Sequence, residues 1–463
     1  MKEKQLSAEQ HRMRQENLLA AGTVVNKCLR RFTIENYLPG QVTYNLGEYP
    51  ARFSITPTDY DYRLLSKFAE QGAQVIQLHE EYNDAKRIMG ADKFNSHDPE
   101  GLRQFVDLVH SLGMKIILYF SSGYFDRTDP DFRTEWGYPG VFLKECYYDY
   151  ANCSPASPEW RAYLLPRLAR LMDEYGVDGL YNDLGYVEPW KQKHIPPTHI
   201  SPEPETPEHD AALEDLLGMI MNLVHRRSGM VKLHYTENKL PKCFSKIYDY
   251  LWVGESVKDL DGLRESTKRF PPYVIPCPDL SRAQSWDEED LYLHTIPYMQ
   301  FPLRVDGRPV TGERGFVPGV DYGDDFWTEH FHRIHEYTIR HPDGPYVYGW
   351  WDSSYGRPEA RKKWFHYLEL YRPMVSENTW CWVEIQKSRL FKEDLPEGIT
   401  ASLFVNEQSY LVLANYGASP VTVATSWRWR DRESGIEGME WILPPRKLKL
   451  LEKVGSQAGT MDL

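Results

Sequence analysis

The chain has 463 residues, enough to bury a large core, and 67 acidic against 54 basic residues give it a formal charge of −13. An acidic surface without a long basic run argues against nucleic-acid or polyphosphate partners, which bind to Lys and Arg patches. The six cysteines form no CxxC pair, so no disulfide framework is indicated. The charged opening MKEKQLSAEQHRMRQ is not typical of a signal peptide, and no later run is long enough to span a membrane, so we expect a cytoplasmic protein.

The first half of the chain alternates between strand and helix patterns. Residues 1–45 are expected to form a helical arm followed by irregular chain. Candidate strands then occupy residues 51–56, 74–79 and 115–120. The intervening helices have polar caps, Asp59 and Asp98, and end at glycines. A further helix ends at Gly176, before a fourth strand at 177–182.

The alternation continues with candidate strands at 231–235, 250–254, 273–276 and 346–351. Eight such units over about 330 residues are typical of a (β/α)8 barrel. We therefore predict a barrel over residues 46–378, with inserts at 187–209 and 277–330. An open doubly wound sheet is the rival fold, but the GxGxxG turn that usually marks it is absent.

After residue 378 the sequence no longer shows apolar residues at the spacing of an amphipathic helix. Short apolar runs at 399–405, 410–415, 421–425 and 448–451 are separated by turn sequences such as NEQS and GASP. We predict that residues 379–463 form an antiparallel β-sandwich appended to the barrel.

Polar side chains follow most of the predicted strands. The candidates are Glu80, Glu81 and Asp84 after strand two, Ser121 and Tyr124 after strand three, Asn182 and Asp183 at strand four, His234 and Glu237 at strand five, Glu255 after strand six, and Trp351 and Asp352 at strand eight. Because strand ends converge at one mouth of a barrel, these residues are expected to share a site. An alternative role for Asp183 is to cap the next helix or order its loop.

Two carboxylates on opposite sides of one bond are the requirement of glycoside hydrolysis. Asp183 and Glu255 lie on alternate strands, so we expect them about 5–5.5 Å apart, the retaining geometry. Asp259 and Asp261 are second-ranked alternatives to Glu255 as the acid. The 31 Tyr and 14 Trp supply flat faces suited to stacking on sugars as well as ordinary core.

The segment GVDGLYNDLG resembles the fourth strand of retaining α-glycosidases, namely the α-galactosidase-like enzymes of clan D and their α-amylase and α-glucosidase relatives. The resemblance implies that Asp183 is the nucleophile. Trp252, Glu255 and Arg264 resemble the clan D segment W-x-x-D followed by Arg, which implies that Glu255 is the acid/base and that Arg264 orients sugar or carboxylate. Three features depart from the clan pattern: Tyr181 replaces a common Lys, Glu255 replaces an Asp, and a large N-terminal β-domain is missing.

We therefore expect a retaining α-glycosidase. Sugar hydroxyls would be held by Glu80, Glu81, Asp84, His234 and Asp352, with Asn182 and Glu237 as further binding residues, and Tyr119, Tyr124 and Trp351 would supply stacking faces. No metal or organic cofactor is implied, because His330, His332 and His335 fit positions on a helix better than a metal site. An inverting enzyme with wider carboxylate spacing, or an inactive sugar-binding barrel, are the alternatives. Self-association is expected to be possible.

Overall fold

The computed structural model describes residues 6–47, 54–83, 94–127, 129–145, 148–183, 207–235, 247–253, 259–267, 273–276, 288–308, 336, 340, 358–375 and 379–455. Among the helices in these ranges, none combines the length and apolar character needed to cross a bilayer.

The strands in these ranges are β1 (Val25–Ile34), β2 (Gln41–Asn45), β3 (Val75–Leu78), β4 (Lys115–Ser121), β5 (Tyr124–Asp126), β6 (Gly137–Glu145), β7 (Tyr148–Cys153), β8 (Gly179–Asp183), β9 (Met230–Tyr235), β10 (Tyr250–Val253), β11 (Val274–Pro276), β12 (Arg304–Gly307), β13 (Trp380–Ser388), β14 (Ile399–Val405), β15 (Ser409–Asn415), β16 (Val421–Asp431), β17 (Glu437–Leu443) and β18 (Lys447–Lys453). The α-helices are α1 (Ala8–Val24), α2 (Asp59–Gln71), α3 (Pro99–Ser111), α4 (Pro158–Tyr175), α5 (Pro207–His225), α6 (Leu260–Thr267), α7 (Glu288–Thr295) and α8 (Pro358–Tyr371).

Eight parallel strands form the central sheet, in the order β11-β10-β9-β8-β4-β3-β2-β12. Seven of them follow one another along the chain, and β12 returns beside β2. Between the two ends of this order, the N–H of Leu303 donates to the carbonyl of Pro276 at 2.8 Å. The sheet is thus a (β/α)8 barrel, as predicted, and the carboxyl ends of its strands share one mouth.

A second, antiparallel sheet has the order β1-β13-β14-β15-β18-β16-β17 and forms the predicted C-terminal β-sandwich. Its core contains Leu403, Leu411, Trp429 and Leu451. Strand β1 pairs with β13, so a segment near the start of the chain completes this sheet. The prediction of irregular chain after the N-terminal helix is therefore wrong, because β1 and β2 follow that helix. The division into domains stays a prediction.

Strands two to seven of the barrel lie where the sequence predicted them, but strands one and eight do not. The first barrel strand is β2. Of the strand predicted at 51–56, residues 54–56 do not belong to a strand, and residues 51–53 lie outside the described residues. Strand eight is β12, inside the predicted 277–330 insert, whereas residues 346–351 lie outside the described residues. Both true strands are half polar. In β12 the side chain of Asp306 is buried and forms ion pairs with Arg304 and Arg361. Because charged residues are not expected in a buried strand, the sequence pattern did not identify β12 as a strand.

Candidate active site

Asp183 is the last residue of β8 and lies at the mouth of the barrel. Helix α4 ends at Gly176, whose φ of +66° lets the chain turn back toward the sheet. The alternation of β8 then places Tyr181 and Asp183 on the same face as Tyr119 of β4, with which Tyr181 is in register. Asp183 is buried there, and its side chain faces the lumen.

Both carboxylate oxygens of Asp183 are held by neighbouring strands. The hydroxyl of Tyr119 donates to Oδ2 at 2.9 Å, and Nδ1 of His234 contacts Oδ1. Burial opposes ionisation, but the charges and hydrogen bonds of the neighbours, His234 first among them, outweigh it and lower the pKa of Asp183. Asp183 is therefore an oriented, ionised carboxylate at neutral pH.

Five rings form the floor under this carboxylate, which we call the ring cluster: His79, Tyr119, Tyr181, His234 and Trp252. The centroids of His234 and Trp252 are 4.2 Å apart, and those of His79 and Tyr119 are 4.8 Å apart. Tyr181 packs edge-on to Trp252 at 5.5 Å. Burial and the negative charges of Asp183 and Glu80 raise the pKa of Tyr119, so its hydroxyl keeps its proton and remains a donor. Tyr119 thus orients Asp183, in addition to the stacking role predicted for it.

A second imidazole–carboxylate contact lies beside the first. Nε2 of His79 is 2.9 Å from Oε2 of Glu80, and both side chains are buried. Burial lowers the pKa of His79 to about 3, so the imidazole is neutral and its contact with Glu80 is not an ion pair. Burial and the charge of Glu80 raise the pKa of Glu81 well above its usual value, so Glu81 is a protonated acid. The structure therefore places two buried glutamates side by side after β3, and Glu81 is the protonated one.

Asn182 faces away from the lumen. Its Oδ1 accepts from the backbone N–H of Ser122, and its Nδ2 donates to the Ser122 hydroxyl, each at 3.0 Å. Because side chains alternate along a strand, the residue before a lumen-facing Asp183 points toward the helices. These contacts hold the chain after β4 in place, so the sugar-binding role predicted for Asn182 is not supported.

Tyr124 belongs to a small antiparallel sheet, β5-β7-β6, inserted after β4. Its backbone pairs with Asn152 of β7, and its side chain is largely buried. The sequence patterns did not predict this sheet. Its Phe125 packs on Trp160 of α4, as does Trp136, which immediately precedes β6.

Arg264 lies on α6 and contacts the C-terminal sandwich. Its guanidinium stacks 4.7 Å from the ring centre of Tyr416 and lies 3.3 Å from Nδ1 of His294. Arg446, in the turn between β17 and β18, approaches the other nitrogen of the same imidazole at 3.1 Å. These contacts place Arg264 at a junction between barrel and sandwich, and a role for it at the sugar stays a prediction.

This junction makes stability depend on pH. Burial, followed by the guanidinium of Arg264, lowers the pKa of His294 to about 4. An unfolded histidine binds a proton below about pH 6.5, whereas folded His294 does not until about pH 4, so its contribution to stability, up to about 3 kcal/mol, is lost as pH falls through that window. We expect His294→Gln to show a shallower loss of unfolding free energy than the parent in urea titrations at pH 7 and pH 4.5. Parallel losses in the two proteins would contradict this role.

The two alternative acids are engaged elsewhere. Oδ1 of Asp259 accepts from the N–H of Gly262 at 2.6 Å and so caps α6. The side chain of Asp261 is 67% exposed and pairs with Arg264 at 3.0 Å. Several predicted site residues lie outside the described residues: Asp84, Glu237, Glu255, Trp351 and Asp352, together with His330, His332 and His335.

Sequence reasoning missed two residues of the barrel interior, His79 and Lys232. Lys232 is fully buried, and its Nζ donates to Oε1 of Gln77 at 2.8 Å. The available signal was alternation: the strand ends QLH (77–79) and KLH (232–234) each have two polar residues two positions apart, which is typical of the lumen face of a barrel strand.

Comparison with known proteins shows a shared fold. No protein-family profile and no curated protein sequence matches the chain significantly. An α-amylase from Geobacillus thermoleovorans, solved with acarbose, has a TM-score of 0.54 and 11% identity over 90% of this chain and 98% of that one. A GH36 α-galactosidase from Geobacillus stearothermophilus, solved with 1-deoxygalactonojirimycin, has a TM-score of 0.55 and 11% identity over 90% of this chain and 56% of that one. An α-glucosyl transfer enzyme has a TM-score of 0.52 and 11% identity over 89% of this chain and 98% of that one.

Proposed function

We propose that the chain is a glycoside hydrolase that cleaves an α-glycosidic bond with retention, using Asp183 as its nucleophile. The observation that carries the proposal is the state of Asp183: an ionised carboxylate at the carboxyl end of the fourth barrel strand, oriented by Tyr119 and His234. A nucleophile in this role has to be unprotonated and fixed in direction, and Tyr119 and His234 provide both conditions for Asp183.

The proposed reaction has two steps. A carboxylate oxygen of Asp183 bonds to the anomeric carbon while the bond to the departing oxygen breaks, and that oxygen takes a proton from an acid. Water then attacks the anomeric carbon, its proton returns to the acid's conjugate base, and the ester bond to Asp183 breaks. Glu255 is the proposed acid on the ground of the sequence resemblance.

The sugar would be bound by the groups that surround Asp183. Neutral Glu81 can donate a hydrogen bond and the carboxyl oxygens of Glu80 can accept one, which together match a sugar hydroxyl. The carboxylates of the site favour a neutral sugar over an acidic one, because a second anion beside Asp183 would be repelled. The names of the structural neighbours, an α-amylase, an α-galactosidase and an α-glucosyl transfer enzyme, support an α-linked substrate, and we take an α-galactosidase-like activity as the first to test.

A screen of aryl α- and β-glycosides, followed by proton NMR of the first-formed anomer, tests the proposal. We expect turnover of an α-glycoside with release of the α-anomer. Asp183→Asn protein purified in parallel controls for contaminating hydrolases. Hydrolysis of β-glycosides alone would overturn the α-assignment, and a β-anomer formed first from an α-glycoside would overturn retention.

A further inference from the structure

Asn83 lies at the mouth of the barrel, shortly after β3. Strand β3 runs into His79 of the ring cluster, and residues Glu80–Tyr82 then form one 3-10 turn that ends at Asn83. The N–H of Asn83 donates back to the carbonyl of Glu80 at 3.0 Å, which keeps the turn compact. Asn83 is therefore only four residues from a ring that lies under Asp183, at the end of the barrel where (β/α)8 enzymes bind their ligands.

The backbone around Asn83 is fixed from both sides. Asn83 forms an antiparallel bridge with Ser96, and the N–H of His97 donates to the carbonyl of Tyr82 at 3.2 Å. The hydroxyl of Tyr82 donates to the carbonyl of Tyr119 on β4 at 2.6 Å, which fastens the turn to the next barrel strand. These contacts hold position 83 without using the Asn83 side chain, as expected of a residue that presents its amide to a ligand.

The side chain of Asn83 differs from every other buried asparagine in the part of the chain that the structure describes. It is 2% exposed, and neither Oδ1 nor Nδ2 has a hydrogen-bond partner there. Buried amides are nearly always paired, so an amide with both ends unpaired requires an explanation. A ligand that supplies the partners is the explanation that the position at the barrel mouth favours. Each of the other buried asparagines has at least one side-chain hydrogen bond: Asn45, Asn182, Asn406 and Asn415.

Two further buried oxygens near this amide have no hydrogen-bond partner among the described residues. One is Oε2 of Glu81, two residues before Asn83, and the other is Oδ1 of Asn45, the last residue of β2. Strand β2 pairs with β3, so Asn45 lies beside the start of the turn. Because the side chain of Tyr44 reaches Asp61 on α2, that of Asn45 leaves the strand on the lumen face. The unpaired groups therefore gather at the carboxyl ends of two adjacent strands.

This set of groups matches the chemistry of a sugar. A hydroxyl both donates and accepts, so two adjacent hydroxyls of one ring can bind the two ends of an amide: Nδ2 donates to one oxygen, and Oδ1 accepts from the next O–H. We propose that Asn83 is a substrate-binding residue that recognises two adjacent hydroxyls of a neutral sugar, with Asn45 and Glu81 beside it. Its part in selecting a substrate rests on the proposed function, whereas its binding of a sugar does not.

NMR titration of the full chain with D-glucose, D-galactose and D-mannose, each up to about 0.1 M, tests the proposal. We expect the parent protein to bind at least one of these sugars. Asn83→Leu keeps nearly the shape of the amide without its hydrogen bonds, and we expect it to bind that sugar at least about tenfold more weakly. A parent protein that binds none of the three sugars, or equal affinity in the two proteins, would overturn the proposal.

Monodeoxy forms of the bound sugar identify the hydroxyls that Asn83 contacts. For two adjacent ring positions, loss of the hydroxyl is expected to weaken binding to the parent at least about fivefold and to leave the affinity of Asn83→Leu nearly unchanged, because the interaction is already lost there. Equal losses in both proteins for every monodeoxy sugar would mean that Asn83 does not contact the ring hydroxyls, and the proposal would fail.

Thermal unfolding separates a binding role from a structural one. Because the Asn83 amide has no partner among the described residues, we expect Asn83→Leu to unfold at or above the temperature of the parent. Asn182→Leu is the matched control, since both ends of that buried amide bind Ser122, and it should unfold a few degrees lower. An equal drop in the two variants would make Asn83 a structural residue and overturn the proposal. If leucine prevents folding, Asn83→Ala replaces it in every measurement.

Kinetics separate the failure of this inference from that of the proposed function. With an aryl α-glycoside that the parent hydrolyses, Asn83→Leu is expected to lower kcat/KM at least about tenfold. An unchanged kcat/KM would overturn the role in substrate selection and leave the proposed function standing. If the parent hydrolyses no glycoside and yet binds a sugar through Asn83, the proposed function fails and the binding site stands.

Discussion

Asp183→Asn is expected to lower kcat for an aryl α-glycoside by at least about 10⁴-fold, because an amide cannot form the glycosyl ester. The amide keeps an oxygen acceptor and nearly the same shape, so the fold should persist. In Asp183→Gly, added azide should restore turnover and yield a glycosyl azide of the opposite anomeric configuration, since the small anion can occupy the space of the missing carboxylate. Steady-state kinetics measure the loss of kcat and its recovery with azide, and NMR of the azide product determines its anomeric configuration.

Asp178→Asn is a matched control, because Asp178 lies one residue before β8, at the opposite end of that strand from Asp183. The Asp178 carboxylate accepts from the N–H of Ile116 at 2.9 Å and contacts Lys115 and His110, at the end of the barrel away from the candidate site. We expect it to cost about 1–2 kcal/mol of stability and to change kcat by no more than about threefold, about 0.65 kcal/mol of barrier. Asp183→Asn protein that keeps more than about 1% of the parent kcat, with deamidation excluded by mass spectrometry, would remove Asp183 from the nucleophile role.

Arg308→Ala is expected to lower the free energy of unfolding by about 3–5 kcal/mol. Arg308 follows β12 and binds both oxygens of Asp61 on α2, with its Nη2 at 2.7 Å from Oδ2. It also donates to the carbonyls of Leu46, Ser54, Ile55 and Thr56. Burial opposes ionisation of Asp61, but the hydrogen bonds and charge of Arg308 outweigh it and lower the pKa of Asp61. Removing the guanidinium leaves a buried carboxylate without its counter-charge.

Urea unfolding followed by tryptophan fluorescence measures this loss. Arg340→Ala is the control, because the pair between Arg340 and Glu336 is solvent-exposed on both sides and is expected to contribute at most about 1 kcal/mol. The double variant Asp61→Asn, Arg308→Ala should recover part of the stability, because it also removes the buried negative charge of Asp61 that loses its counter-charge in Arg308→Ala. Equal small losses in Arg308→Ala and Arg340→Ala would show that the Arg308 network does not stabilise the closure of the barrel.

Much of the barrel could be predicted from local pattern. Strands two to seven are short apolar runs bounded by glycines and polar caps, and burial on both faces makes such runs stand out. The same pattern identified Asp183, because a carboxylate that follows a glycine stop and a short buried strand lies where a barrel strand ends. The prediction of one shared site followed from strand ends converging at the barrel mouth.

Other features required contacts between distant parts of the chain. β1 is recognisable only from its pairing with β13, about 350 residues later, and β12 only from the ion pairs that bury Asp306. The direction of Asn182 is recognisable from its two hydrogen bonds to Ser122, 60 residues earlier in the chain. The contact of Arg264 with Tyr416, about 150 residues later, is likewise visible only in the folded chain, while a role for Arg264 at the sugar stays a prediction.

The sequence by itself determined the alternation of strands and helices, the antiparallel end of the chain and the position of Asp183, because periodicity and burial are recorded in neighbouring residues. Only the tertiary structure decided which groups surround that carboxylate: Tyr119 and His234 on its oxygens, and Lys232 and Gln77 meeting across the lumen. These contacts depend on strand register and on the closure of the barrel, which bring together side chains that no local pattern connects.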